Sequence, residues 1–305
     1  MSRPNRSRIA MTKIVCIGDA MMDVIVKMKS AVNQDSDTLS EISMLGGGAA
    51  ANTSAWLASL GIDTTFIGRI GSDLAGASFH DELLSHGVKH PNPPISDKKT
   101  GTVVVLVDSA GNRTMFPDPG ANSGLDEGDL PVLTGFTGAF LSGYSLFNPA
   151  SSEGVQRIIS NLTKAGIPIY FDLASVGTIS AFGFERANSL LKGFAGLFLN
   201  EEEALFITEK NEIGAAIIEL SKLAPLVVVK RGSNGALAWT QSLSTIERPA
   251  IKVNVVDTTG AGDAFAAGFL SIWLTNQDLA AALDKGIEVA GRCVATIGAR
   301  PSVNP

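Results

Sequence analysis

Short apolar runs alternate with helical segments along most of this chain, and that alternation constrains the fold more than any other feature. "KIVCIGD" (13–19) reads as a buried strand ending in a turn. "AANTSAWLASLG" (50–61) places Thr53, Trp56, Leu57 and Leu60 on one helical face and stops at Gly61. "TTFIGRIG" is a strand, and "DLAGASFHDELLSHG" is a helix opening on Asp73 and closing at Gly87. "GAFLSG", "IPIYFDLA", "AGLFLN" and "PLVVVKRG" continue the strands, with helical segments starting at "SSEGVQ" and "EEEALF" between them. "GALAWT" begins a hairpin, and two helices follow at about 260–274 and 278–297. Strands separated by helices predict an α/β fold with a mainly parallel sheet covered on both faces.

Two stretches break the rhythm. "GTVVVLVDSAGNRTMF" (101–116) carries two β runs around the turn Asp108-Ser109-Ala110-Gly111-Asn112. Residues 24–45 are also β-like and lack a helical period. Together they predict a small β-sheet projecting from the body, formed by about 24–45 and 100–116. With no internal repeat and no long linker, residues 11–305 are expected to form one domain, preceded by a loose tail over 1–10.

Composition limits the function classes. The chain has 305 residues, 45% of them hydrophobic, and a mean hydropathy of +0.22, which excludes global disorder. Its net charge of -6 gives no general attraction to nucleic acid or anionic membrane. The start carries arginines but no apolar signal core, and no run is long enough to span a bilayer. Cys16 and Cys293 do not make a disulfide framework, so a reduced cytoplasmic setting is expected. His80 and His86 read as surface residues and His90 sits beside prolines, a poor basis for a metal centre.

"VNVVDTTGAGDAFAAGF" (253–269) reads as strand, glycine turn, helix. The N–H groups of Ala261, Gly262 and Asp263 have no intrahelical partners at such a start, and with the helix dipole they form an anion site. Asp263 is then either a carboxylate stabilised by the dipole or a base beside a bound phosphate. Spacing alone leaves a phosphate site and a simple tight turn both open. A Walker A loop is absent, because no Lys follows the turn, and GxGxxG fails at Phe265.

The sequence resembles the PfkB, or ribokinase-like, carbohydrate kinase family along nearly its whole length. "DTTGAGDAFAAGF" resembles the family's C-terminal signature and "GGGAAANTSAWLASLG" its N-terminal one. "NEEE" is similar to the family's NxxE motif, and "KRGSNGA" to the glycine turn on the nucleotide side. The resemblance implies a ribokinase-like αβα sandwich with a small β-sheet lid. It implies transfer of the ATP γ-phosphate to a hydroxyl of a sugar (ribokinase- or fructokinase-like) or, alternatively, of a nucleoside of adenosine or pseudouridine type. An inactive sugar or nucleotide sensor is the remaining reading, opposed by the presence of Asp263 and the complete glycine turn. Asp263 would be the general base and Gly260, Ala261 and Gly262 the anion hole. Asn200, Glu203, Lys230, Gly232 and Gly235 would serve ATP, with Glu203 helping Mg²⁺ through water.

On the acceptor side, the family pattern implies Asp23, Gly47, Gly48 and Asn52 as substrate residues. Asp19 reads instead as a turn cap. Met21 stands where ribokinases carry Asn, and Ala49 where they carry Lys after the glycine pair; this puts ribose itself, and a phosphorylated acceptor, in doubt. Arg69 and Arg113 are expected in surface or lid salt bridges, and Tyr144 and Phe147 in the core. The resemblance also implies a K⁺ ion held by Asp257, the carbonyls of Thr259, Cys293, Thr296 and Gly298, and Ser302. A homodimer through the lid is a further family-level expectation.

Overall fold

The computed structural model describes residues 12–302, so the expected tail over 1–10 lies outside the described residues. Twelve strands form two sheets. They are β1 (Lys13–Ile17), β2 (Met21–Met28), β3 (Ser40–Gly47), β4 (Asp63–Ile67), β5 (Gly101–Val107), β6 (Arg113–Asp118), β7 (Gly138–Ser142), β8 (Ile169–Asp172), β9 (Gly196–Asn200), β10 (Leu226–Lys230), β11 (Ala236–Thr240) and β12 (Ser244–Arg248). The large sheet has the order β12-β11-β10-β9-β8-β7-β1-β4. It is parallel from β4 to β10, and the hairpin β11–β12 closes one edge antiparallel.

Strand side chains alternate between faces, so the central strands feed two cores. Ile14 and Cys16 of β1, with Phe198 and Val228, pack beneath the helices Ala49–Ser59, Ala261–Asn276 and Leu279–Val294. Val15 and Ile17, with Leu197, Leu199, Val227 and Val229, join the opposite core beneath Ser152–Lys164, Glu201–Thr208 and Ile213–Leu220. This is the αβα sandwich expected from the strand–helix alternation.

The second sheet, in the order β3-β2-β5-β6, is built from both predicted excursions. Cross-strand pairing puts Asp23, Leu45 and Val103 on one face, with Val105 and Arg113 on the same side. Val24, Met44, Val104 and Phe116 lie on the other, beside Val26 and Ile42.

The expected strand before the glycine turn does not form. Residues 249–255 follow edge strand β12 with no ladder partner, leaving Val253, Val255 and Val256 exposed. Their passage ends where Val256 N donates to Val294 O at 2.7 Å. The last helix also stops earlier than expected, at Val294; the chain turns so that Gly298, at φ 91°, meets Asp257. His90 is buried and its Nδ1 lies 3.0 Å from His80 Nδ1, so this pair belongs to the packing beside Phe66 and Phe79. Among the described residues, no helix is long and apolar enough to cross a membrane.

Candidate active site

The C-terminal ends of β8, β9 and β10 and the start of the helix Ala261–Asn276 converge on one cleft, the edge where open α/β sheets bind ligands. The helix starts there because Gly260 takes φ 75°, a left-handed conformation, and because a Cβ at this position would lie 2.5 Å from that of Ala299. Ala261 N is turned back to Thr258 O at 3.3 Å. Among the described residues, no backbone acceptor takes the N–H of Gly260, Gly262 or Asp263. The free donors are therefore shifted from the expected trio of Gly260, Ala261 and Gly262, because Ala261 closes the turn.

Asp263 is half-buried in the first helical turn, and Asn52 Nδ2 donates to its Oδ2 at 2.9 Å. Burial pushes its carboxyl up to about 7; Asp172 and Asp23 add to the rise, while Asn52 and Lys230 oppose it. A carboxylate poised near neutrality is suited to accept a proton from a hydroxyl.

The nucleotide side differs in detail from expectation. Asn200 and Glu203 form a reciprocal cap on their helix: Asn200 Oδ1 accepts from Glu203 N at 2.8 Å, and Glu203 accepts from Asn200 N at 2.8 Å and Asn200 Nδ2 at 2.6 Å. Burial raises the Glu203 carboxyl to about 7, against the pull of Lys230. Lys230 Nζ donates to Asp172 Oδ2 at 2.6 Å, and it would lie 3.3 Å from a Cβ on Gly262. An ammonium thus borders the free N–H turn. Gly232, at φ 54°, faces open space, which leaves its backbone open to a ligand. Gly235 is different: a Cβ there would overlap the Arg248 carbonyl, so its smallness serves the packing of β12.

Among the described residues, no group of three or more His, Cys, Asp or Glu side chains could cage a metal. Mg²⁺ does not need one, since it retains waters and takes phosphate oxygens. Glu203 is therefore compatible with Mg²⁺ only through water.

On the acceptor side, a Cβ on Gly47 would overlap the Asp23 carboxylate, so the glycine lets Asp23 lie flat across β3. Burial raises Asp23 to about 6, with Arg300 drawing it down and Glu82 pushing it up; no protein hydrogen bond contributes, among the described residues. Gly48, at φ 93°, precedes the helix Ala49–Ser59 and presses against the Asp19 carbonyl. The Asp19 carboxylate accepts from Ser145 Oγ at 2.6 Å, a bond to a residue distant in sequence and not the local turn cap expected. Asn52 is engaged by the protein itself. It is 5% exposed and each end of its amide holds one partner: Nδ2 on Asp263, and Oδ1 accepting from Arg300 Nε at 3.2 Å. It braces the base, which leaves one N–H and one lone pair of the amide without a protein partner among the described residues.

Asp257 anchors the expected cation cage. Its carboxylate accepts from Thr259 N at 3.0 Å, Thr259 Oγ1 at 2.7 Å, Arg113 Nη2 at 2.7 Å and Gly298 N at 3.1 Å. Cys293 O accepts from Thr296 N and Oγ1, both at 3.1 Å, and Ser302 is exposed. Thr259 and Gly298 meet Asp257 as the resemblance implied, but so does a guanidinium, and three of the four donors crowd onto Oδ1 with the fourth on Oδ2. A cation does not fit while Arg113 stands there. Arg113 is the lid salt bridge anticipated from sequence, and Arg69 pairs with Asp126 and Asp129 as another. Phe147 is core, whereas Tyr144 is 40% exposed beside the cleft, contrary to expectation.

Three residues of this cleft carry no motif: Asp172, Glu82 and Arg300. The position of Asp172 at the C-terminal end of "IYFD" was an available signal, by the strand-end argument applied to Asp19. Glu82 and Arg300 gave none, since only the fold brings helix Leu74–Ser85 to the C-terminal loop.

The model of the PfkB family carbohydrate kinases matches residues 11–305. The chain belongs to this family. Its members are ATP-dependent carbohydrate or nucleoside kinases with a hydroxyl acceptor. The chain is similar to an ATP-dependent ribose-1-phosphate kinase of Halopiger xanaduensis, 30% identical over 296 residues that cover 95% of this chain and 93% of the relative. It is similar to a guanosine-inosine kinase of Exiguobacterium acetylicum, 26% identical with 94% and 95% covered. Among solved structures, the adenosine kinase of Sinorhizobium meliloti superposes with a TM-score of 0.86 at 25% identity, covering 96% of each chain.

Proposed function

We propose that this chain is an ATP-dependent sugar kinase in which Asp263 is the general base. The observation that carries the reading is one helical turn holding both a half-buried carboxyl, raised to about 7, and the N–H groups of Gly262 and Asp263, which have no acceptor among the described residues. The acceptor oxygen attacks the γ-phosphorus, its proton passes to the Asp263 carboxylate, and the bond to the β–γ bridging oxygen breaks. The products are ADP and a phosphomonoester. The free N–H groups and Lys230 offset the charge on the transferring phosphoryl group, which is where phosphoryl transfer needs help. Mg²⁺ bound with ATP would neutralise phosphate charge, and Glu203, held by Asn200, would meet it only through water. Asp23, free of protein donors, accepts hydroxyls of the acceptor.

The small sheet acts as a lid over the acceptor, with Asp23 on its inner face. Ile25, Leu45, Val103 and Val105 put apolar surface beside Asp23 on that face, with Lys27, Glu41, Ser43 and Arg113 further along it; the apolar part next to Asp23 favours a nucleoside as the second reading. The outer face, with Ile42 64%, Met44 60% and Phe116 55% exposed, supports a homodimer formed lid to lid. A monovalent cation ranks behind Arg113 for the Asp257 carboxylate, and no step here passes through it. The absence of a spanning helix among the described residues is compatible with a cytoplasmic enzyme. ADP release across a panel of pentoses, hexoses and nucleosides tests the reading: turnover with a sugar supports it, turnover with nucleosides alone moves it to the second reading, and no turnover with any acceptor sinks both.

A further inference from the structure

A buried arginine lies behind the acceptor site. Arg300 is 7% exposed; its Nε and Nη2 are hydrogen-bonded, while Nη1 makes an ion pair with Glu82 but no aligned hydrogen bond. Nη1 pairs with Glu82 Oε1 at 3.0 Å, Nη2 donates to Gly47 O at 3.0 Å, and Nε donates to Asn52 Oδ1 at 3.2 Å. Its plane lies against Phe79, 4.9 Å from the ring centroid. Gly46, the first residue of the triple glycine, is small for the same reason: a Cβ there would overlap the Arg300 guanidinium. Gly46 N in turn donates to Glu82 Oε2 at 3.1 Å.

The consequence concerns Asn52. An amide has a donor end and an acceptor end, and a guanidinium only donates. With Arg300 Nε against it, the end of Asn52 facing Arg300 must be the carbonyl. The donor end then has to face Asp263, where Nδ2 lies 2.9 Å from Oδ2. If Arg300 were absent, the amide could turn over and set its carbonyl against the base. We propose that Arg300, held by Glu82, is the positioning residue that turns the Asn52 amide onto Asp263. The proposal rests on the reading of Asp263 as the base.

The charged and titratable groups around Asp263 are Asp23 from β2, Asp172 from β8, Lys230 from β10, Tyr144, Cys293 and Arg300 itself. Of these, only Arg300 touches Asn52. A donated hydrogen bond favours the carboxylate form. Losing it makes Asp263 hold its proton to higher pH, so the acid limb of the kcat–pH profile moves up.

The experiment is that profile, measured on the full chain with saturating acceptor and ATP. Arg300→Met is expected to raise the midpoint of the acid limb by about one pH unit. In an Asn52→Ala background the same change is expected to leave the midpoint where Asn52→Ala alone puts it. A midpoint unmoved in Arg300→Met, even with a lower kcat, overturns the proposal, because a structural role alone lowers the rate at every pH. An equal shift in the Asn52→Ala background also overturns it, since the effect would then be a direct charge effect. Should Arg300→Met not fold, Arg300→Lys decides: it keeps the charge against Glu82 but has a single nitrogen, so Asn52 loses its partner and the limb moves up; an unmoved limb overturns the proposal. Asp263→Asn, measured alongside, separates this outcome from the reading beneath it. If that variant keeps its rate, Asp263 is not the base, whatever Arg300 does.

Discussion

Arg113, on the last strand of the small sheet, reaches across the cleft to Asp257 at 2.7 Å and to Thr259 Oγ1 at 2.6 Å, two residues that open the glycine turn. Burial alone would raise the Asp257 carboxyl. The donors from Thr259, Arg113 and Gly298 outweigh burial and hold it well below the usual carboxylate range. The position of the lid and the shape of the phosphate-binding turn are thereby joined through one ion pair.

That pair predicts how the enzyme responds to K⁺. With Arg113 supplying the positive charge at Asp257, wild-type turnover is expected to be the same in K⁺ and in tetramethylammonium at constant ionic strength. Arg113→Ala is expected to lose about tenfold in kcat, the scale of one lost charge-assisted contact. It should also gain a K⁺ response, because the cage is then vacated. Strong K⁺ stimulation of the wild type would return the site to a metal ion.

Asp263→Asn is expected to lower kcat by at least about 10²-fold while leaving ATP affinity largely unchanged. In the wild type the base must be ionised, and its carboxyl stands at about 7. Activity is therefore expected to fall as pH drops through 7 and to level off above it. A kcat that stays flat down to pH 5 would remove Asp263 from the role.

The same raised carboxyl has a cost in stability. A folded-state value above the unfolded one favours folding below the unfolded value and loses that contribution as pH rises through the folded one. At pH 8 Asp263 is ionised, half-buried and near Asp172 and Asp23. Asp263→Asn is thus expected to raise Tm by about a few degrees at pH 8, with the gain shrinking towards pH 5. Melting curves at the two pH values check the sign; a Tm that drops at pH 8 contradicts it.

Lys230 offers a separate test of the phosphate side. Lys230→Met is expected to reduce kcat/KM for ATP by about 10²-fold or more, leaving KM for the acceptor unchanged. The change also strands Asp172, whose partner at 2.6 Å is lost. Lys230→Met with Asp172→Leu removes that complication. If the double variant recovers both its Tm and its activity, the pair is structural only.

How much of this was legible in sequence follows from which interactions are local. The large sheet could be read because each strand and helix advertises itself within about ten residues by its own period. The glycine turn could be read because Gly260, Gly262 and Asp263 are consecutive or nearly so. The passage before the turn was misread as a strand: its valines have β character, but whether a ladder forms depends on a neighbour that β12 does not provide. The contact of Asn52 with the base is hidden for a similar reason. The other partner of Asn52, Arg300, is 248 residues away, and nothing in "GARPS" marks an arginine that will be buried. Arg113 was anticipated in a salt bridge, but its partner Asp257 was assigned to an ion, since spacing shows which residues meet a carboxylate locally and not which side chain crosses to it from another sheet.

The outer face of the small sheet carries the last prediction. Val24, Val26, Ile42, Met44, Val104, Leu106 and Phe116 share that face by register. A four-stranded sheet with one apolar face turned to water is an association surface, because covering it removes apolar area at about 25 cal/mol per Å². A second copy presents the same face, so a two-fold pairing satisfies both at once. Sedimentation of the wild type is expected to give a dimer at micromolar concentration, and Ile42→Glu with Phe116→Glu a monomer. Both substitutions lie on the face away from Asp23 and Arg113, so the folded core should keep its Tm. The monomer is expected to show a raised KM for the acceptor, as the lid loses its brace, with ATP affinity less affected. A wild type that sediments as a monomer across the concentration range would rule out the lid-to-lid dimer.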